Sequence, residues 1–346
     1  MVGGILVAGA LRLTADRPPP ADSVSPCEVV PQPIALGAPL DQDAAEISGL
    51  AWYGDTLVVL PQYPSRMDPE GTGHLYGLSR GALLQALADT AAAPLSPVPI
   101  QLAVEDLRGD AATYQGFEAL AFSGRRAYVL MEHTRRTGGM EGRFFPGVVS
   151  ARRERVVLRA PDVQRLPAQA VLRNMSYEAL TTVGDTVLAL FEANGARVNP
   201  QPRAYRFDAA GEPAGTVPFP TLEYRLTDAT AADGDGQFWV MNYFYPGERA
   251  LLQPAPDSLA MRFGEGRLHR TTEVVERLVE YRYTPAGIRR TDAPPIQLVL
   301  DGETGRNWEG LARFADGFLL ATDQFPSTLL AYVPAPSAAS CREETP

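Results

Sequence analysis

An internal repeat constrains this chain more than any other feature. The segments ISGLAWYGDTLVVLPQ (47–62), FEALAFSGRRAYVLME (117–132), YEALTTVGDTVLALFE (177–192), TDATAADGDGQFWVMN (227–242) and WEGLARFADGFLLATD (308–323) align without a gap. Each carries Gly or Asp at its centre, where a tight hairpin turn needs a residue tolerant of unusual backbone angles. Apolar runs flank the turn, and runs such as 187–191 are nearly continuous rather than alternating, as expected of strands covered on both faces. Between the repeats lie further strand-like stretches, HLYGLS, AYRFDA and VEYRYT, and the outer-strand pattern of VPIQLAV (98–104) and PPIQLVL (294–300). Each unit therefore reads as four antiparallel strands. Repeated four-stranded sheets with both faces buried describe an all-β fold, the β-propeller.

The count expected is five blades. A sixth between 243 and 300 is the alternative, but 244–275 reads better as an insertion ahead of the outer strands of the fourth blade. The last repeat supplies only three strands, ending at LLAYVP (329–334), while PQPIALGAP (31–39) has the outer-strand pattern and precedes the first repeat. An N-terminal strand is thus expected to complete the last blade and close the ring.

The repeat also places polar residues in register. Its second position holds Ser48, Glu118, Glu178, Asp228 and Glu309, and fourteen residues later come Gln62, Glu132, Glu192, Asn242 and Asp323. A residue at the start of one hairpin strand faces the end of its partner, so the two sets are expected side by side, at one mouth of the central channel. Carboxylates within ~5 Å of one another have raised pKa values unless a cation intervenes. The metal-ligand candidates are Glu118, Glu178, Asp228, Glu309, Glu132, Glu192 and Asp323, with Glu118 and Glu178 as catalytic candidates. Hard oxygen donors suit Ca²⁺, whereas the scarcity of His and Cys disfavours softer metals. The alternative is that these side chains satisfy backbone groups and hold channel water. Loops after the hairpins carry Arg, and Arg135, Arg136 and Arg197 are the candidates for holding an anionic group. His133 follows Glu132 in a strand and should point to the other face.

Charge and composition exclude some functions. The net charge is −10 and every basic residue is Arg, with no basic stripe of the kind nucleic acid needs. No stretch approaches the ~18 apolar residues that span a bilayer. The start, MVGGILVAGALRLTADRPPP, resembles the apolar region of an export signal, without its basic flank. The expected organisation is a signal-like segment 1–26, one propeller domain 27–341 and a tail 342–346. Cys27 and Cys341 lie just outside the repeats; a bridge between them would clasp the ring's ends in a periplasmic or secreted protein, and free thiols are the other reading. GLSRG (77–81) mimics a nucleophile elbow, but Ser79 reads better as a helix N-cap.

The segments ISGLAW, GFEALAF, SYEALTTV and NWEGLARF…LLATD resemble the repeats of the phytase-like (esterase-like activity of phytase) propeller family, over about residues 30–335. The resemblance implies an exported bacterial propeller and calcium-assisted hydrolysis of phosphate or other esters. The function expected is thus a calcium-dependent ester or phosphoester hydrolase, monomeric, acting on a small anionic ester at the channel mouth. The alternative is a non-catalytic binding or scaffold propeller with a structural ion.

Overall fold

The computed structural model describes residues 27–67, 73–89, 91–105, 113–135, 139–159, 162–299, 305–325 and 327–337. All five repeats form antiparallel hairpins: Ile47–Tyr53 with Thr56–Pro61, Tyr114–Ser123 with Arg126–Thr134, Tyr177–Val183 with Thr186–Phe191, Arg225–Ala229 with Gln237–Phe244, and Trp308–Phe314 with Gly317–Thr322. Further strands extend each hairpin outward. The third sheet, for example, adds Arg203–Phe207 and Pro213–Pro218. The first strands of the hairpins neighbour one another in a closed cycle, so they line a common axis.

Apolar packing explains the cycle. The buried side chains fall into five clusters, and each lies mainly between two consecutive sheets. Between the fifth and first sheets, for example, Leu50, Leu57 and Tyr76 meet Phe314, Leu319 and Tyr332. Each sheet therefore buries both faces, which is why the strands read as continuous apolar runs. Closure comes from the N-terminus as expected: Gln32–Ile34 pairs antiparallel with Leu330–Pro334.

Some features were not legible beforehand. Glu28–Val29 adds to the fourth sheet as a strand parallel to Ile296–Leu298. The first and second sheets join at their outer edges, where Val98–Glu105 runs parallel to Arg155–Arg159. The insertion in the fourth sheet is helical, with short helices at Arg249–Leu252, Ser258–Phe263 and Arg267–Thr272. Ser79 caps the helix Arg80–Ala88, its side chain accepting from Ala82 N at 3.1 Å. No helix of the described residues is long and apolar enough to cross a membrane. Cys341, like Arg136, lies outside the described residues, so the expected Cys27–Cys341 bridge does too.

Side chains near the axis tie the sheets together. Thr181 Oγ1 donates to Thr230 O at 2.8 Å and Thr227 Oγ1 to Trp308 O at 2.5 Å. Asp228 is the densest tie. Its carboxylate accepts from its neighbour Ala229 N at 2.7 Å and from Leu311 N of the fifth sheet at 2.6 Å, and it also takes the N–H of Leu50 from the first. Removing this acceptor orphans buried backbone donors on three strands. Asp228→Ala is expected to lower the unfolding free energy by about 2–4 kcal/mol, whereas Asp228→Asn, which keeps an acceptor, should cost less than half of that. Urea denaturation followed by circular dichroism measures both.

Candidate active site at the channel mouth

A β-bulge opens the inner hairpin of every sheet, and this decides where the acids point. Straight pairing would set Glu118 beside Glu132. Instead Phe117 pairs with Met131 and Ala119 with Leu130, leaving Glu118 as the extra residue. The same step isolates Ser48, Glu178 and Glu309 in their hairpins. The expected side-by-side register is thus corrected by one device: a bulge lifts its residue out of the ladder and re-aims its side chain. Glu132 consequently lies opposite Gly116. Glu192 donates its N–H to Ser176 O, and Asp323 donates its own to Asn307 O.

The fourth hairpin bulges one residue earlier, at Thr227, and Asp228 pairs with Met241. That shift turns Asp228 to the backbone ties described above, so its carboxylate serves the ring and is not offered to a ligand. Asn242 is likewise committed. Its Nδ2 donates to the carbonyls of Glu223 at 3.0 Å and Arg225 at 2.8 Å. His133 is buried away from the acids, with Nε2 against Met131 Sδ and Nδ1 near Thr113 Oγ1, as its strand position predicts.

The remaining acids do converge, around a residue that sequence reasoning missed. The guanidinium of Arg225, whose side chain is 11 % exposed, stands among them. Its Nε donates to Glu192 Oε1, its Nη2 lies 3.4 Å from both oxygens of Glu178, and its Nη1 donates to Asn307 Oδ1 at 3.2 Å. Glu309 Oε1 and Glu248 Oε1 each lie 3.6 Å from it. Asn307 Nδ2 in turn donates to Glu309 at 2.6 Å and to Asp323 at 3.0 Å. Among the described residues, Gln62 Nε2 donates to Glu118, 3.4 Å from each of its oxygens. Gly116, at φ 142°, makes room here: a Cβ on it would lie 2.5 Å from Gln62 Cγ and 2.8 Å from Glu118 Oε1. The signals were present as Arg225 in the run YRLTDA and Gly116 before the Phe-Glu pair, but nothing in the repeat alone marks either as special.

One cation cannot satisfy this many acids. Burial, then the charges of Glu132 and Glu309, hold the Glu118 carboxyl well above the usual range. Burial and Glu192 do the same to Glu178, against the pull of Arg225. Glu132 and Glu309 are each pushed up to about 8, chiefly by burial and then by Glu192 and Asp323 respectively. Burial alone would lower the pKa of Arg225, but Glu192 and Glu178 more than reverse this and keep it charged. Further along the inner strands lies a cavity of about 200 Å³ lined mainly by apolar groups, including Leu50, Leu120, Leu180, Ala229 and Leu311. Such a lining solvates ions poorly and strengthens every charge interaction at the mouth.

Of the arginines expected to meet an anion, Arg135 is exposed beside the second hairpin. Arg197 donates to Pro254 O at 3.2 Å and lines a different cavity. Another loop arginine, Arg66, stacks 3.4 Å over Tyr63 and pairs with Glu46 at 3.2 Å.

The chain matches no family model and no curated protein. Its resemblance to the phytase-like propellers therefore rests on the repeat segments alone. Among solved structures it is similar to a glucose dehydrogenase, at 14 % identity over 86 % of this chain and 99 % of that one, with a TM-score of 0.43. It is also similar to the soluble aldose sugar dehydrogenase of Escherichia coli (12 % identity, 86 % and 98 % covered, TM-score 0.43). A third is a GH43_1 enzyme from Xanthomonas citri (12 % identity, 88 % and 93 % covered, TM-score 0.48).

The raised carboxyl pKa values have a consequence for stability. A carboxyl that titrates near 8 when folded and near 4.5 when unfolded binds more protons in the folded state between those limits. Stability therefore falls as pH rises from about 4.5 to about 8 and is flat above. Glu132→Gln removes one such group, and melting temperatures recorded across that window should fall less steeply than for the wild type.

Proposed function

We propose that the channel mouth is the active site of an ester or phosphoester hydrolase that uses Ca²⁺. The observation that carries this reading is the surplus of buried carboxylates: Glu118, Glu132, Glu178, Glu192, Glu309 and Asp323 share the mouth with Arg225 as their central cation. Two buried oxygens there, Glu132 Oε1 and Glu192 Oε2, have no hydrogen-bond partner among the described residues. The donor set is oxygen throughout, which is the chemistry a hard divalent ion takes. Among the described residues no three acids are gathered tightly enough to form a ligand set in this structure, so holding the ion requires carboxylates now turned to Arg225 to move. Glu132, Glu178 and Glu192 would hold it, and when bound it would polarise the ester or phosphoryl oxygen.

The chain's own residues supply the proton chemistry. Glu118 and Glu178 are neutral-leaning in this arrangement because ionising them adds charge to an already negative layer. A neutralised mouth leaves Glu118 ionised, held by Gln62 Nε2, to take a proton from an attacking water. Glu309, whose pKa burial and Asp323 push up to about 8, suits proton delivery to the leaving group. Arg66 and Arg135, on loops after inner hairpins, are the cations available to an anionic substrate. The signal-like start fits a periplasmic or secreted location, where Ca²⁺ is plentiful.

A second reading has its own support. Arg225 already pairs with Glu178, Glu192 and Glu309, as an internal tie in a non-catalytic propeller would. Two measurements separate the readings. Ca²⁺ at about 1 mM should raise the melting temperature by several degrees, with the effect lost in Glu178→Gln. The Ca²⁺-loaded protein should hydrolyse p-nitrophenyl acetate or phosphate, and Glu118→Gln should lower kcat by about 100-fold with the circular dichroism spectrum unchanged. A calcium-dependent melting shift without turnover of any ester in a broad panel would leave the binding reading standing.

A further inference from the structure

A second cavity, of about 460 Å³, lies between the loop after the third inner hairpin and the helical insertion of the fourth sheet. That size suits a small molecule. Its walls are deliberately fixed. Glu223 Oε1 accepts from Ala196 N at 3.0 Å on one wall, and Glu223 Oε2 accepts from Ala255 N at 2.9 Å on the other. Arg197 spans the two through its bond to Pro254 O.

The lining is cationic, unlike the mouth. Arg197, Arg249, Arg270 and Arg277 face it together with Asp257, Glu265 and Glu273, which leaves one positive charge in excess. His269 also lines it and stays neutral, since burial lowers its pKa to about 4. Arg277 is the distinctive group. It is 2 % exposed, its Nη1 donates to Asp257 Oδ2 at 2.7 Å and its Nε to Asn242 Oδ1 at 2.8 Å. Among the described residues its Nη2 has no hydrogen-bond partner. A guanidinium is a planar fork suited to carboxylate and phosphate, and an unmet donor on a buried one asks for an acceptor.

We propose that this cavity is a second ligand site, which takes the carboxylate or phosphate of a small polar molecule against Arg277, with Arg197 and Arg249 meeting its charge. The site is separate from the acidic mouth in charge and lining but is joined to it by Asn242. That side chain accepts from Arg277 and donates to the carbonyl of Arg225, whose guanidinium stands among the mouth acids.

Isothermal titration of the full chain with sodium succinate and with sodium phosphate, at ionic strength matched by NaCl, tests the proposal. Saturable binding of at least one probe is expected, tighter for succinate if the natural group is a carboxylate and for phosphate if it is a phosphoryl group. The double variant Arg197→Gln/Arg249→Gln, both exposed side chains, should weaken that binding by about tenfold or more. Binding should persist in Glu118→Gln, so loss of the hydrolase reading leaves this one intact, and the reverse. No saturable binding of either probe up to roughly 10 mM, or equal affinity in the double variant, would overturn it.

Discussion

Buried like charges are stable only with a partner, and the pairing of Arg225 with Glu178 and Glu192 is the interaction on which the mouth depends. The cost of burying one carboxylate is several kcal/mol before any repulsion is counted. Here several share one layer above an apolar channel. The guanidinium suits the task because it stays charged under any ordinary condition and presents donors in several directions at once. Its five-way contact with Glu178, Glu192, Glu248, Glu309 and Asn307 holds carboxylates from the third and fifth sheets and from the insertion in one arrangement. What it does not neutralise leaves carboxyls with raised pKa values, about 8 for Glu132 and Glu309.

The fold creates this crowding by a repeated local irregularity on a regular frame. Apolar clusters between sheets set the ring, and a bulge at the start of each inner hairpin aims one side chain out of the ladder. Where the bulge moves by one residue, in the fourth sheet, the acid changes role. Asp228 becomes a tie between strands while Thr227 takes the bulge. The same repeat column shows a parallel case. Arg225 and Arg306 occupy equivalent positions, yet Arg306 is turned outward from the axis to Glu276, which also accepts from Trp308 Nε1 at 2.7 Å. One arginine organises the mouth; the other welds the fourth and fifth sheets behind it.

The two polar regions of the molecule are opposite in sign and adjacent. The mouth is acidic, and the cavity beside the insertion carries an excess of guanidinium groups. Asn242 lies between them with both ends of its amide in use. A molecule bound at Arg277 would therefore pull on a hydrogen-bond chain whose other end is the backbone of Arg225. Such a chain is short, buried and without solvent-exposed links, which is what physical coupling between neighbouring sites needs.

Most of the architecture was legible in the sequence, because hairpin turns, continuous apolar runs and an ungapped repeat are local properties that each segment states for itself. The strand at Gln32–Ile34 closing the ring and the hairpin positions of Glu118, Glu178 and Glu309 followed from that pattern. The register did not. A bulge depends on how a strand meets its neighbours, so the re-aiming of Glu118 and the diversion of Asp228 belong to the tertiary structure. Nor could the repeat single out Arg225, since an arginine at the start of a strand is ordinary until two other sheets and the insertion deliver their acids to it. Residue types and periodicity determined that oxygen donors would gather at one end of a closed ring. Only packing in three dimensions decided which of them face each other, which face the backbone, and that a guanidinium stands at their centre, because those outcomes turn on distances between segments far apart in the chain.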